Sequence, residues 1–161
     1  MLSIGDQIPT KTTVLDKDNN EVSLDKFLDK KYLVLYFYPK DQTEGCTEEA
    51  CSFRDNNEVL EKLDAHVVGI SCDNQKSHGK FIAKESLNFQ LLSDETHKLQ
   101  EDFGIWAEKS MFGKTYMGTL RTTYLVDKSG EILEIWGPNA ENKVTTKTHA
   151  EDVAARIKSL L

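Results

Sequence analysis

The chain has 161 residues, with 20 Lys plus Arg against 27 Asp plus Glu, three cysteines and four histidines. That length suits one domain across residues 1–161, with a core that needs no disulfides or metals; 39% apolar and 29% charged residues describe an ordinary globular protein. A net charge of −7, spread without a basic block, lacks the clustered cationic face that nucleic acid or an anionic membrane would need, so neither is expected as a partner.

In chain order, Thr12–Leu15 and Glu21–Leu24 flank Asp18-Asn19-Asn20, which predicts a short N-terminal β-hairpin. Tyr32 to Tyr38 is continuously apolar and aromatic, the pattern of a central strand covered on both faces, and Pro39 ends it. It is also the longest apolar run, far short of the ~20 residues of a membrane span. Residues from about Cys46 to Ala65 lack Pro and Gly and carry Ala50, Phe53, Leu60 and Leu63 at roughly helical spacing. His66–Ser71 then reads as a second buried strand, so strand, long helix and strand make a βαβ unit with two parallel neighbours.

A second helix is expected over Gln75–Leu87, weakened by Gly79, then a brief strand over Phe89–Leu92 and a short helix over Glu95–Phe103 stopped by Gly104. Met111–Gly118 reads as a looser stretch. Arg121–Asp127 and Glu131–Trp136 flank Lys128-Ser129-Gly130 and predict an antiparallel hairpin. A capping-box pattern, Thr148-x-x-Glu151, precedes Val153, Ile157, Leu160 and Leu161, an amphipathic helix that docks on the sheet. This order matches an α/β, thioredoxin-like fold: a central mixed β-sheet with helices on both faces.

Three cysteines is an odd number, which argues against a secreted disulfide framework. The first 25 residues lack the charged start, apolar stretch and cleavage site of an export signal, so the expected compartment is the cytoplasm. In a reducing compartment a cysteine with a special role is catalytic, redox-active or metal-bound. Cys46 and Cys51 lie five apart and Cys72 is 21 residues beyond; Cys-x-x-Cys, His-Glu-x-x-His and glycine-rich nucleotide fingerprints are absent.

The segment Pro39 to Cys51 leaves a buried parallel strand at its carboxyl end and opens the longest helix, the place where open α/β sheets build sites. Helix N-termini present unpaired N–H groups and a partial positive charge that favour a thiolate, which puts Cys46 where a cysteine becomes nucleophilic. A free thiol with pKa ~8.5 is only about 3% ionised at neutral pH, and lowering it to about 6 requires roughly 3.4 kcal/mol. A helix terminus supplies ~0.3–1 kcal/mol, occasionally ~2, so a cation is needed. The chain has three arginines. Arg54 lies eight residues along the helix, about 12 Å from Cys46, and Arg156 sits near the end of the last helix. Arg121 remains, by elimination, to stabilise the thiolate and donate to a bound oxygen substrate. Thr43 offers a hydroxyl at the same turn. Glu49 either orients an arginine or supplies favourable charge to a first helical turn.

Five helical steps rotate ~500° and rise ~7.5 Å, leaving the Cα atoms of Cys46 and Cys51 roughly 8–9 Å apart on different faces. A disulfide wants less than ~7 Å, so the pair joins only if the first helical turns unwind. The alternative is that Cys51 is a small core-facing residue beside Phe53.

The run Tyr38-Pro-Lys-Asp-x-Thr-x-Gly-Cys-Thr-x-Glu-Ala-Cys-x-Phe-Arg-Asp55 resembles the active-site segment of the bacterioferritin comigratory protein, or Q-type, peroxiredoxins. So do Gly113-Lys-x-Tyr116-x-Gly118-x-x-Arg121-x-Thr123-Tyr-Leu-Val-Asp127 and the opening Gly5-Asp-x-x-Pro9, and together they cover most of the chain. The resemblance implies that Cys46 is the peroxidatic cysteine, attacking the O–O bond of hydrogen peroxide or an organic hydroperoxide. It implies that Cys51 resolves the sulfenic acid as an intramolecular disulfide, and that thioredoxin or a similar dithiol restores both thiols. Pro39 would shield the thiolate from water, Thr43 and the Cys46 N–H would position the peroxide, and Arg121 would activate both partners. No cofactor or metal is implied. No large exposed apolar face is expected, which suits a monomer.

Two positions depart from the family pattern. Glu44 stands where an uncharged residue is common; facing inward it would oppose ionisation of Cys46, and a solvated rim position is expected instead. Cys72 follows the second strand either as a partly buried bystander or as an extra thiol. His66, His78, His97 and His149 show no ligand spacing and are assigned no chemistry. Two other functions stay open: a thiol–disulfide oxidoreductase, which usually uses Cys-x-x-Cys, and a zinc or redox-sensing module, which lacks a fourth ligand.

Overall fold

In the computed structural model, which describes residues 1–161, the N-terminal hairpin forms as β1 (Val14–Leu15) and β2 (Glu21–Val22). Next come β3 (Tyr32–Phe37), the long helix α1 (Glu44–Lys62) and β4 (Ala65–Ser71), with β3 and β4 in parallel register from Tyr32↔Ala65 to Phe37↔Ile70. They are followed by α2 (Gln75–Glu85), β5 (Gln90–Ser93) and α3 (Lys98–Phe103). A separate two-stranded ribbon, β6 (Trp106–Met111) and β7 (Lys114–Thr119), leads into β8 (Thr122–Asp127), β9 (Ile132–Trp136) and α4 (His149–Lys158). The main sheet runs β2-β1-β5-β4-β3-β8-β9, with β3, β4 and β5 parallel and β8 antiparallel to β3.

The pleat of β3 explains why its sequence is apolar at every position. Tyr32, Val34, Tyr36 and Tyr38 point to one face, packed with Phe53 and Leu60 of α1, Phe81 of α2, and Val153 and Ile157 of α4. Leu33, Leu35 and Phe37 point to the other, against Leu24, Phe27, and Leu99 and Phe103 of α3. Helices therefore cover both faces, as the thioredoxin-like reading expects. Gly69 of β4 is required by packing: a Cβ there would lie 2.8 Å from both Tyr36 and Leu91. No helix is long and apolar enough to cross a membrane.

Four sequence expectations are corrected. Met111–Gly118 is not loose but the turn and second strand of the β6–β7 ribbon, reversed at Phe112 and Gly113 with φ of 52° and 78°. That ribbon leaves Met111, Phe112, Tyr116 and Met117 exposed. The third helix starts at Lys98 rather than Glu95, because the Asp94 carboxylate accepts from the N–H groups of Leu99 and Gln100. The Thr148–Glu151 capping box does not form. Thr148 Oγ1 donates to Asp152, and the Ala150 N–H donates instead to Ser52 Oγ of α1, at 3.0 Å. Leu160 and Leu161 lie beyond the end of α4 and are exposed.

Candidate active site

The sheet delivers the chain to the carboxyl end of β3, and the loop from Pro39 to Thr43 turns it into α1. This loop is tied down by Asp41, which is buried. Its N–H donates to Asp73 at 2.8 Å, and its carboxylate accepts from Tyr38 Oη at 2.6 Å and Ser77 Oγ at 2.8 Å. His78, also buried, spans the 2.7 Å to Asp41 Oδ2 and the 3.0 Å to the Leu92 carbonyl. Asp41 stands in the motif quoted above without a role of its own, and His78 was assigned no chemistry. Both are anchors whose contact with each other spans 37 residues, so no spacing announces it. Asp41, Asp73 and His78 each bring a potential ligand atom within 4.8 Å of the others, yet each of those atoms already has a protein hydrogen-bond partner.

Cys46 is the third residue of α1 and is buried, with its thiol free. Arg121, which precedes β8, reaches over the helix start and donates from Nη2 to Cys46 Sγ at 3.3 Å. Its Nη1 donates to Glu49 Oε1 at 2.6 Å. Glu49 is one helical turn after Cys46 and fully buried; burial pushes its carboxyl up to about 7, against the pull of the Arg121 guanidinium. The structure thus brings Cys46, Glu49 and Arg121 into one contact chain across 75 residues of sequence. Arg54 and Arg156 point elsewhere, to Glu85 with Asp55 and to Glu134 with Ser159.

Thr43 is the N-cap of α1, but its hydroxyl donates to the Lys40 carbonyl at 3.0 Å rather than to Cys46 or Arg121. Pro39 is half-buried beside Tyr38, and Glu44 is exposed at the rim. Gly45 is a requirement that sequence reasoning missed. A Cβ there would stand 3.3 Å from Arg121 Nη2, so any side chain pushes on the guanidinium. Gly45→Ala should therefore stabilise α1 by up to about 1 kcal/mol while slowing oxidation of the Cys46 thiol several-fold. Thermal melting and stopped-flow oxidation check the two signs; a variant as fast as the parent would mean that Arg121 tolerates displacement.

Cys51 lies in the same continuous helix, half-buried, its thiol donating to Glu85 Oε2 at 3.6 Å. Burial pushes that thiol up, Arg54 pulls it down and Glu85 adds to the rise. Cys72 follows β4 and accepts from Gln100 Nε2 at 3.1 Å; burial, with Asp94 adding, pushes its thiol up to about 11. The three sulfurs thus face three different partners.

A buried cysteine at a helix start, gripped by an arginine on a thioredoxin-like sheet, defines a thiol-based redox enzyme. A sequence profile of the AhpC/TSA family matches residues 4–135. Peroxiredoxin Bcp of Bacillus subtilis is 48% identical over 130 residues, 81% of this chain and 80% of that protein. Peroxiredoxin Bcp of Escherichia coli K12 is 46% identical over 135 residues, covering 84% and 85%. Among solved structures, a Cys-to-Ser mutant of Xylella fastidiosa PrxQ superposes with a TM-score of 0.89 at 31% identity, covering 99% of this chain and 98% of that one. Xanthomonas campestris bacterioferritin comigratory protein, in a study of its alkyl peroxide reduction, gives 0.85 at 31% identity over 98% and 99%. The chain belongs to the AhpC/TSA family and is a peroxiredoxin of the Bcp/PrxQ kind, a peroxidase that consumes peroxides at the expense of a thiol reductant.

Proposed function

We propose that Cys46 is the peroxidatic nucleophile, Cys51 its resolving partner and thioredoxin or a similar dithiol the reductant. The observation that carries this reading is the 3.3 Å contact from Arg121 Nη2 to Cys46 Sγ, with Arg121 anchored at 2.6 Å by the buried Glu49. The Cys46 thiolate attacks the distal oxygen of the peroxide. An S–O bond forms, the O–O bond breaks, and the departing oxygen takes a proton to leave as water or alcohol. Arg121 stabilises the thiolate and the charge that develops on the leaving oxygen. Pro39 walls the sulfur from solvent, and Thr43 rotates off the Lys40 carbonyl to receive the peroxide. Glu49 aligns Arg121.

Resolution forms the Cys46–Cys51 disulfide and expels water, the thiol proton leaving with the sulfenic hydroxyl. Both sulfurs sit on α1, so the first turns unwind before they meet. Unwinding also releases Cys51 from Glu85 and presents it to the reductant. The alternative oxidoreductase and zinc readings gain nothing from three sulfurs committed to Arg121, Glu85 and Gln100. The protein is read as one cytoplasmic domain that works as a monomer.

A thioredoxin-coupled assay tests the cycle. Cys51→Ser should complete one turnover at the parental rate, then stall and accumulate sulfenic, later sulfinic, acid at Cys46. Sustained turnover of that variant with thioredoxin would remove Cys51 from the cycle.

A further inference from the structure

His149 opens α4 and is fully buried, yet no step above uses it. The rings of Phe53 and Trp136 meet its imidazole edge-on at 5.4 and 5.8 Å. Its Nε2 lies 2.8 Å from Thr123 Oγ1 and 3.8 Å from Glu49 Oε2. Glu49 Oε2 has no hydrogen-bond partner, and neither does His149 Nδ1. A buried carboxylate oxygen without a donor is costly to keep charged, and a small rotation of the imidazole closes the 3.8 Å gap. The alignment of α4 on α1 that sets this gap is held from outside, by Ala150 N–H on Ser52 Oγ and by Thr146 Oγ1 on Glu48 at 3.1 Å.

We propose that His149 is a positioning residue for the peroxidatic step: with its proton on Nε2 it turns onto Glu49 Oε2, holds that carboxylate charged, and so keeps Arg121 on the Cys46 sulfur. The inference rests on the roles of Cys46, Glu49 and Arg121 given under the proposed function. Besides Thr123 of β8, the titratable and charged groups around this pair are Arg121, Cys46 of α1 and the unpartnered hydroxyl of Tyr36 on β3. Burial, with Arg121 adding, pushes the imidazole down to about 4. Near neutral pH His149 is thus uncharged and acts as a dipolar donor, not as a charge. Glu49, at about 7, is close to losing its charge. Acidification through that range protonates Glu49, loosens Arg121 and slows oxidation of Cys46; removing the donor at Oε2 moves this loss to higher pH.

Two amide substitutions separate positioning from packing. Gln at 149 places an N–H near the Nε2 position, whereas Asn stops near Nδ1 and cannot reach Glu49. In single-turnover oxidation by hydrogen peroxide, His149→Asn should move the acid limb of the rate profile up by about one pH unit, a roughly tenfold slower reaction on that limb. His149→Gln should keep the parental limb. The same profile for His149→Asn as for the parent, or an equal, pH-independent slowing of both variants, overturns the proposal. Nitrogen NMR of the parent gives a reading that does not depend on either variant folding: the proton must sit on Nε2, and a proton on Nδ1 overturns the proposal as well. A parent that oxidises Cys46 normally while either test fails refutes the role of His149 alone and leaves the proposed function standing.

Discussion

Replacing Arg121 with alanine should slow the oxidation of Cys46 by roughly 100- to 1,000-fold, the usual cost of deleting one aimed donor from a site where charge develops. The guanidinium makes both contacts of the chain at once, 3.3 Å to Cys46 Sγ and 2.6 Å to Glu49 Oε1. Its loss removes the cation that the helix terminus cannot replace, since the terminus supplies ~2 kcal/mol at most. Fold loss does not account for such an effect. Glu49 is already raised to about 7 by burial with the arginine present, so without it the carboxyl takes up a proton at neutral pH and leaves no bare buried charge. Arg121→Lys keeps a cation but not the two-pronged geometry, and an intermediate rate is expected. Arg121→Ala oxidised within threefold of the parental rate would show that the arginine is structural only.

Oxidation should also abolish hydrogen-exchange protection across the start of α1. Joining Cys46 to Cys51 requires residues 46–52 to leave the helix, so their amides should exchange at least ~100-fold faster in the disulfide form, equivalent to roughly 3 kcal/mol of lost local stability. The unwinding has a natural limit. Phe53 and Leu60 are fully buried, and Asn57 Nδ2 donates to the Asn88 carbonyl at 3.0 Å, which holds the remainder of α1 in place. The amides of 53–56 lose their acceptors at 49–52 with the unwound turns, so slow exchange should persist from about Asn57 onward. Loss of the Ser52 and Glu48 contacts should carry the increase into the start of α4, where Ala150 and Thr146 lose their partners. Equal protection of residues 46–52 in both forms would mean that the disulfide forms elsewhere or not at all.

The βαβ unit was legible because β3 is buried on both faces and its sequence is apolar at every step. Cys46 was legible from its place at the helix start, and Arg121 from the scarcity of arginines. The contact from Glu49 to Arg121 was one of two readings left open; the fold chose it by burying Glu49 on the face of α1 that Arg121 covers. What stayed hidden has physical reasons. The β6–β7 ribbon packs neither face into the core, so its strands carry no alternation to read. The capping pattern at Thr148 misled because Ser52, nearly a hundred residues earlier, does the capping. His78 and His149 were passed over as lacking ligand spacing, but their partners, Asp41 and Thr123, come from other elements.

The most direct measurement is to give the reduced Cys51→Ser variant one equivalent of hydroperoxide and locate the added oxygen by peptide mass spectrometry. The account predicts a single sulfenic oxygen on Cys46, with Cys72, its thiol held up at about 11, unmodified. Oxygen on Cys72, or an unreacted Cys46, would contradict it.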